Sequence, residues 1–409
     1  MKVSKFKRSK SSKPFSSAAF SSPLSVTSLH FLLLGASLSP FLLSHGALGG
    51  SREWLLNWDD DGNFVYNARV HSLSFSNVSW YFTSANVYFV YEPLSLLFKA
   101  VFCSLFGLNP SLNFLCNAFL HSLVTLLAYN LSLLVPSASF SSSSASTSAS
   151  HVSYSSYAAL GAAVFATHPL RAEVVSWLSA QSYLLSSLFS LISLTLHLRS
   201  SSRPTLLSVA FFFAAVLCKS IAVSVCALFV LRDVSLSRSS PLSSFFLSFR
   251  KNLFYILIAL AAAGKQILGN AELGYSRTDS LTDFELLLSK LHSFSFYIYA
   301  TLNPASVTMF YPTQESHYRD HSSFSASLCI ATSLLLLTFA ALSALFHLRS
   351  PRAGTSLAIM FAGTYIALLL PTFLAQHGWP MVGANRYGKV ASLLSPPPSL
   401  PSPLPPTSL

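Results

Sequence analysis

"TLLSVAFFFAAVLCKSIAVSVCALFVL", residues 205–231, decides how often this chain crosses a bilayer. It has the length of one tilted span or of two short passes meeting at Cys218-Lys219-Ser220. A lysine near the bilayer centre costs roughly 2.5–3.5 kcal/mol. The flanks arbitrate. Arg199 and Arg203 precede the run, and Arg232, Arg238, Arg250 and Lys251 follow it. Basic loops stay in the cytosol, so both flanks belong there and the run is expected to be a hairpin with Lys219 at its non-cytosolic tip.

The rest of the chain fits that choice. Of 409 residues 52% are hydrophobic and only 9% charged, with a mean hydropathy of +0.54; soluble domains carry roughly 25% charged residues. The expected fold class is therefore an all-α polytopic membrane protein. Other apolar runs of near-spanning length lie at 29–48, 111–135, 156–167, 182–198, 252–268, 325–347 and 354–374. The run 93–108 follows Pro93 and contains Lys99, and 281–309 carries Asp283, Glu285, Lys290 and His292. Both read as helices lying at the interface rather than as spans.

The formal net charge of +12 does not point to nucleic acid, because Lys2, Lys5, Lys7, Arg8, Lys10 and Lys13 crowd the N-terminus and no acid precedes Glu53. A cytosolic N-terminus beside a first span explains this, and an organellar transit peptide is the competing reading. Residues 1–28 are thus a basic, Ser-rich cytosolic segment, 29–390 the transmembrane domain, and 391–409 a Pro/Ser-rich tail expected to be disordered. The tract "SASFSSSSASTSAS", 137–150, reads as a flexible cytosolic linker. The five cysteines form no CxxC pair, so neither a disulfide framework nor a zinc site is indicated.

With this topology 49–110, 168–181, 269–324 and the segment from 375 share the non-cytosolic face. Of the 13 acids, Asp233 alone falls in the cytosol. That segregation marks a working surface. "WDDDGNF", 58–64, places Asp59, Asp60 and Asp61 there. Read alone it is an Asp/Gly turn; close carboxylates also split their pKa values and leave one as a base. A calcium loop fits poorly, since its ligands alternate along the chain. "THPLRAEVVSW", 167–177, packs His168, Arg171 and Glu173 into one loop, either as a polar turn or as an anion site, because Arg matches phosphate oxygens with a fork of donors. "QHGWPMVGANRYGK", 376–389, offers Arg386 and Lys389 beside Trp379 and Tyr387, either as interface anchors or closing on a phosphate. Lys219 adds a fourth cation. "NVS" at Asn77 is a glycosylation acceptor in the same proposed luminal loop.

The order of these motifs is familiar. Asp60 and Asp61 with Val65 and Asn67, "YEPLSLLF" from Tyr91, "FGLNPSLNFLCNAFLHSLV" from Phe106, "HPLRAEVV" from His168, "LCKS" around Lys219, "YATLNPASVTMFYP" from Tyr299 and "ANRYGK" from Ala384 follow one another. Together they resemble the membrane domain of the transmembrane and TPR repeat-containing proteins, in the GT-C glycosyltransferase class. The match covers roughly residues 30–390. Glu92, Ser220 and Asn385 stand where that family usually has Arg, Glu and Asp, and Pro/Ser sequence follows where its TPR array would begin.

The resemblance implies a GT-C-like helical bundle with luminal interfacial helices in the endoplasmic reticulum membrane, an organellar membrane being the minor alternative. It implies a mannosyltransferase moving mannose from dolichyl-phosphate-mannose, a lipid-linked substrate and not a cofactor, to Ser/Thr of secretory-pathway proteins. Asp60 or Asp61 would be the general base; His168, Arg171, Glu173, Lys219 and Arg386 would hold the donor phosphate. Membrane lipid and an acceptor protein are the expected partners, and no metal is expected. A polytopic transporter, or an inactive or truncated GT-C-like scaffold, is the alternative.

Overall fold

The computed structural model describes residues 26–272 except 48, 51, 84–86, 88–89, 140–147, 201–203 and 237–240. Beyond 272 it describes only 291, 301–306, 331–335, 337–339, 341–342, 363 and 366. The described residues form helices and turns with no strand; Val87 and Val90 make an isolated bridge. The runs 325–347 and 354–374, the interfacial segment 281–309, residues 1–25 and the tail lie wholly or mostly outside the described residues.

Eleven α-helices are described. They are α1 Val26–Ala47, α2 Phe75–Thr83, α3 Pro93–Phe106, α4 Pro110–Ser139, α5 Ser148–Thr167, α6 Leu170–Ser176, α7 Gln181–Arg199, α8 Leu206–Cys218, α9 Val225–Leu236, α10 Pro241–Lys251 and α11 Leu253–Glu272. Local chemistry sets several boundaries. Pro93 begins α3 with a pre-set φ, and Gly107 ends it at φ 70°, a conformation that costs glycine little. Asn109 Oδ1 accepts from the Leu112 amide at 3.0 Å ahead of Pro110, so α4 starts with a side-chain cap and a proline at its first position. Thr205 caps α8 through the Ser208 amide.

Among the described residues three stretches are long and apolar enough to cross a membrane: Thr27–Gly46, Pro110–Leu134 and Leu178–Arg199. The bent pair Phe245–Lys251 and Leu253–Gln266 makes four if it counts as one span. The expected run 156–167 sits in a longer helix, α5, whose apolar part is short. Part of 137–150 is helical rather than linker: α4 runs on to Ser139 and α5 already begins at Ser148. Ala and Ser extend a helix that apolar neighbours have already nucleated at modest cost.

The run 205–231 reverses. Phe212 and Phe229 have ring centroids 5.7 Å apart, whereas a continuous helix would set them roughly 25 Å apart at 1.5 Å per residue. The break falls at Lys219, whose backbone is extended at φ −158° and ψ 126°, followed by a 3₁₀ turn over Ser220–Ser224. Phe212, Val216, Ala222, Val225, Phe229 and Tyr255 then close one core.

Contacts between helices fix their relative directions. His30 meets Asn130 while Phe41 meets Phe114 and His121, so α1 and α4 are antiparallel. Asn117 meets Gln181 and Leu120 packs on Leu184, so α4 and α7 run the same way. Ser193 and Ser208 exchange hydroxyl-to-carbonyl bonds at 2.7 Å, and Ser186 faces the Lys219 carbonyl, so α7 and α8 are antiparallel. Such polar bonds are useful where lipid removes most of the hydrophobic drive for helices to associate. The bundle therefore has two ends: residues 52–70, Glu92, 168–181 and Lys219 gather at one, and His197, Asp233 and Asn252 at the other.

Candidate active site

The acidic loop after α1 is folded tightly. Leu56–Trp58 form a 3₁₀ turn closed by Asp59 at φ 69°, a left-handed conformation that Asp tolerates better than most residues. Asp61–Val65 continue as a π-helical turn. Asp60 is completely buried. Its Oδ1 accepts from the Ser179 amide at 2.9 Å and the Ser179 hydroxyl at 2.5 Å, and its Oδ2 accepts from the Leu55 amide at 2.9 Å. Alongside, the Trp177 indole donates to the Trp58 carbonyl. One carboxylate thus joins the acidic loop to the turn between α6 and α7. Two segments 119 residues apart in the sequence are physically one unit.

A lysine completes the unit. Lys99, on the buried face of α3, donates to Asn63 Oδ1 at 2.5 Å and lies 5.2 Å from the Phe64 ring centre. At 14 residues α3 is about 21 Å long, too short to cross. Burial lowers Lys99 to about 8, while the charges of Asp60, Cys103 and Asp59 pull it back up. Burial likewise pushes the Asp60 carboxyl above its usual range, against the pull of Ser179, the Leu55 amide and Lys99. Asp61 is half-buried. The geometry divides the pair: Asp60 has both oxygens committed inside the fold, and Asp61 sits on its rim.

The basic residues are placed unevenly. His168 accepts from the Leu170 amide through Nδ1 at 3.2 Å and bonds the Thr301 carbonyl through Nε2 at 3.1 Å. Its ring therefore fastens the start of α6 to the segment before the Pro304–Ser306 turn, with both nitrogens occupied. Arg171 lies over the Phe165 ring at 4.8 Å. Glu173 is half-buried on α6, and its carbonyl accepts from the Trp177 amide. Lys219 makes an ion pair with Glu92 and stands 4.7 Å from the Tyr183 ring centre. Glu92 thus partners the lysine expected to meet phosphate. Tyr183 packs against Trp177 and Ala180, as Trp58 and Leu55 also do, which ties Lys219 to the acidic unit. Asn77 Nδ2 donates to the Ser72 carbonyl and hydroxyl. Arg386 lies outside the described residues.

Lys99, Ser179, Asn63 and Tyr183 escaped the sequence reading. The available signal was Lys99 itself, a charge inside the apolar run 93–108, since a buried charge needs a partner. Among the described residues no three His, Cys, Asp or Glu side chains converge as a metal set. Comparison with protein-family models, curated proteins and solved structures returns no match to this chain.

Proposed function

We propose that this chain is a membrane-embedded glycosyltransferase that moves mannose from dolichyl-phosphate-mannose to a Ser/Thr hydroxyl at the luminal face of the endoplasmic reticulum. The ordered motif set supports this reading. The observation that carries it is the Asp60–Ser179 junction, which draws the acidic loop and the His-Pro loop together at one end of the bundle, beside Lys219. In this mechanism Asp61 accepts the proton of the acceptor hydroxyl as its oxygen attacks the anomeric carbon. The bond from that carbon to the phosphate breaks, and dolichyl phosphate leaves with its charge met by Arg171, Lys219 and Arg386. Asp60 and Lys99 position the loop rather than touch substrate.

The test is mannosyl transfer by full-length protein in microsomes given labelled donor. Asp61→Asn is expected to lower the rate by about 10²–10⁴-fold with the melting temperature unchanged. Full transfer by Asp61→Asn removes the base assignment. The Glu92–Lys219 pair favours a second reading, a GT-C-like scaffold whose cation is satisfied internally; a folded wild-type chain that transfers nothing supports it.

A further inference from the structure

Helix α10 is built inside out for a water-facing helix. Its one buried described side chain is a serine: Ser248 Oγ donates to the Val230 carbonyl at 3.2 Å, and Asn252, just past the helix end, donates to Asp233 Oδ2 at 3.0 Å. Its apolar side chains face outward. Phe245, Phe246, Leu247 and Phe249 are all exposed, Phe246 at 63%. The three phenylalanines pack on one another, with ring centroids 6.0 and 6.4 Å apart. In water that cluster would be a large unpaired patch.

Two observations say what covers it. First, the chain bends by 72° between Lys251 and Leu253. Helix α11, with 20 residues, is about 30 Å long, which is the length of a crossing helix. Crossing helices tilt about 20° from the membrane normal on average; at that tilt the 72° bend leaves α10 at least about 50° from the normal, nearer the membrane plane than the normal. Beyond the bend α11 also presents apolar side chains outward, with Leu253, Phe254, Leu257 and Leu260 exposed. Second, the surroundings are basic. Across 199–204 and 232–251 the only acid is Asp233, which is held by Arg232 and Asn252, while Arg199, Arg250 and Lys251 are exposed.

We propose that α10 is an in-plane anchor at the cytosolic membrane interface, with Phe245, Phe246 and Phe249 in the acyl chains and Arg250 and Lys251 on anionic lipid headgroups. An amphipathic helix with aromatic and basic faces binds a bilayer in this way. The assignment depends on the chain sitting in a membrane and is independent of any glycosyl transfer.

Single cysteines at Phe246, Phe249 and Arg250 in the full-length protein, probed with a polyethylene-glycol maleimide in intact microsomes, test the placement. Phe246→Cys and Phe249→Cys should resist the reagent until detergent is added, and Arg250→Cys should react at once. Immediate reaction at Phe246→Cys puts the face in water. Protection of Arg250→Cys makes the bent pair a re-entrant span, and protection that survives detergent places the face against protein. Each of these overturns the proposal. In nanodiscs of phosphatidylcholine with a minority of phosphatidylserine, Arg250→Gln and Lys251→Gln should each lower retained phosphatidylserine by about fivefold. Unchanged retention in the double variant rejects the headgroup contact.

Discussion

At the residue scale, Asp60 and Lys219 are held by partners the sequence did not pair with them. Asp60→Asn replaces one accepting oxygen by an amide that cannot accept from the Ser179 or Leu55 donors. We expect a loss of about 2–3 kcal/mol, read as a lower melting temperature in detergent, whereas Asp61→Asn leaves the melt in place. Lys219→Ala strands the Glu92 carboxylate and is expected to cost about 3–5 kcal/mol. The double variant Glu92→Gln/Lys219→Met should recover most of that loss, because no charge is left unpaired. A double variant as unstable as the single one would show that the pair contributes nothing through its charges. Asp59 is the simplest of the three acids: the Asp/Gly turn reading suits its left-handed backbone.

At the element scale, the hairpin of α8 and α9 can be measured directly. Phe212→Cys and Phe229→Cys should be joined within one chain by a short bismaleimide, since a 5.7 Å ring separation is within its reach; a straight helix would leave both ends singly labelled. The opposite end of the same helices, away from the acidic unit, has its own clasp. Burial pushes Asp233 up, but His197, Arg232 and Asn252 outweigh it and hold the carboxyl at about 2 against its ordinary 3.8. A carboxylate lowered by folding stabilises above its unfolded pKa and stops doing so as pH falls through the folded one. The clasp should therefore contribute fully above pH 3.8 and fade towards about 2. Allowing for the water that reaches it, about 1–2 kcal/mol is at stake near neutrality. Melting of Asp233→Asn should fall below wild type at pH 6, where this carboxyl is fully ionised, and the two curves should converge at the acid end.

At the whole-molecule scale, the alternating helix directions sort the chain into two ends, and sidedness is the quantity left to measure. Asn77 belongs to the end that holds the acidic unit. A glycosidase-sensitive mobility shift that disappears in Asn77→Gln is expected if that end is luminal. An unmodified Asn77 together with a protease-protected N-terminus would invert the chain.

Composition and charge alone determined that this is an apolar, helical chain, and where most helices run, because the cost of hiding charge in lipid is local and additive along the sequence. Flanking arginines on both sides of 205–231 even determined its reversal, which the Phe212–Phe229 contact displays. The site was legible only as separate motifs. Asp60, Asp61, His168 and Lys219 could be named, but not that Asp60 bonds Ser179, His168 bonds Thr301 and Lys219 pairs with Glu92. Those pairings join positions 119, 133 and 127 residues apart. Only tertiary packing sets such distances, and at hydrogen-bond range a shift of an ångström or two decides whether a charge faces its own protein or a substrate.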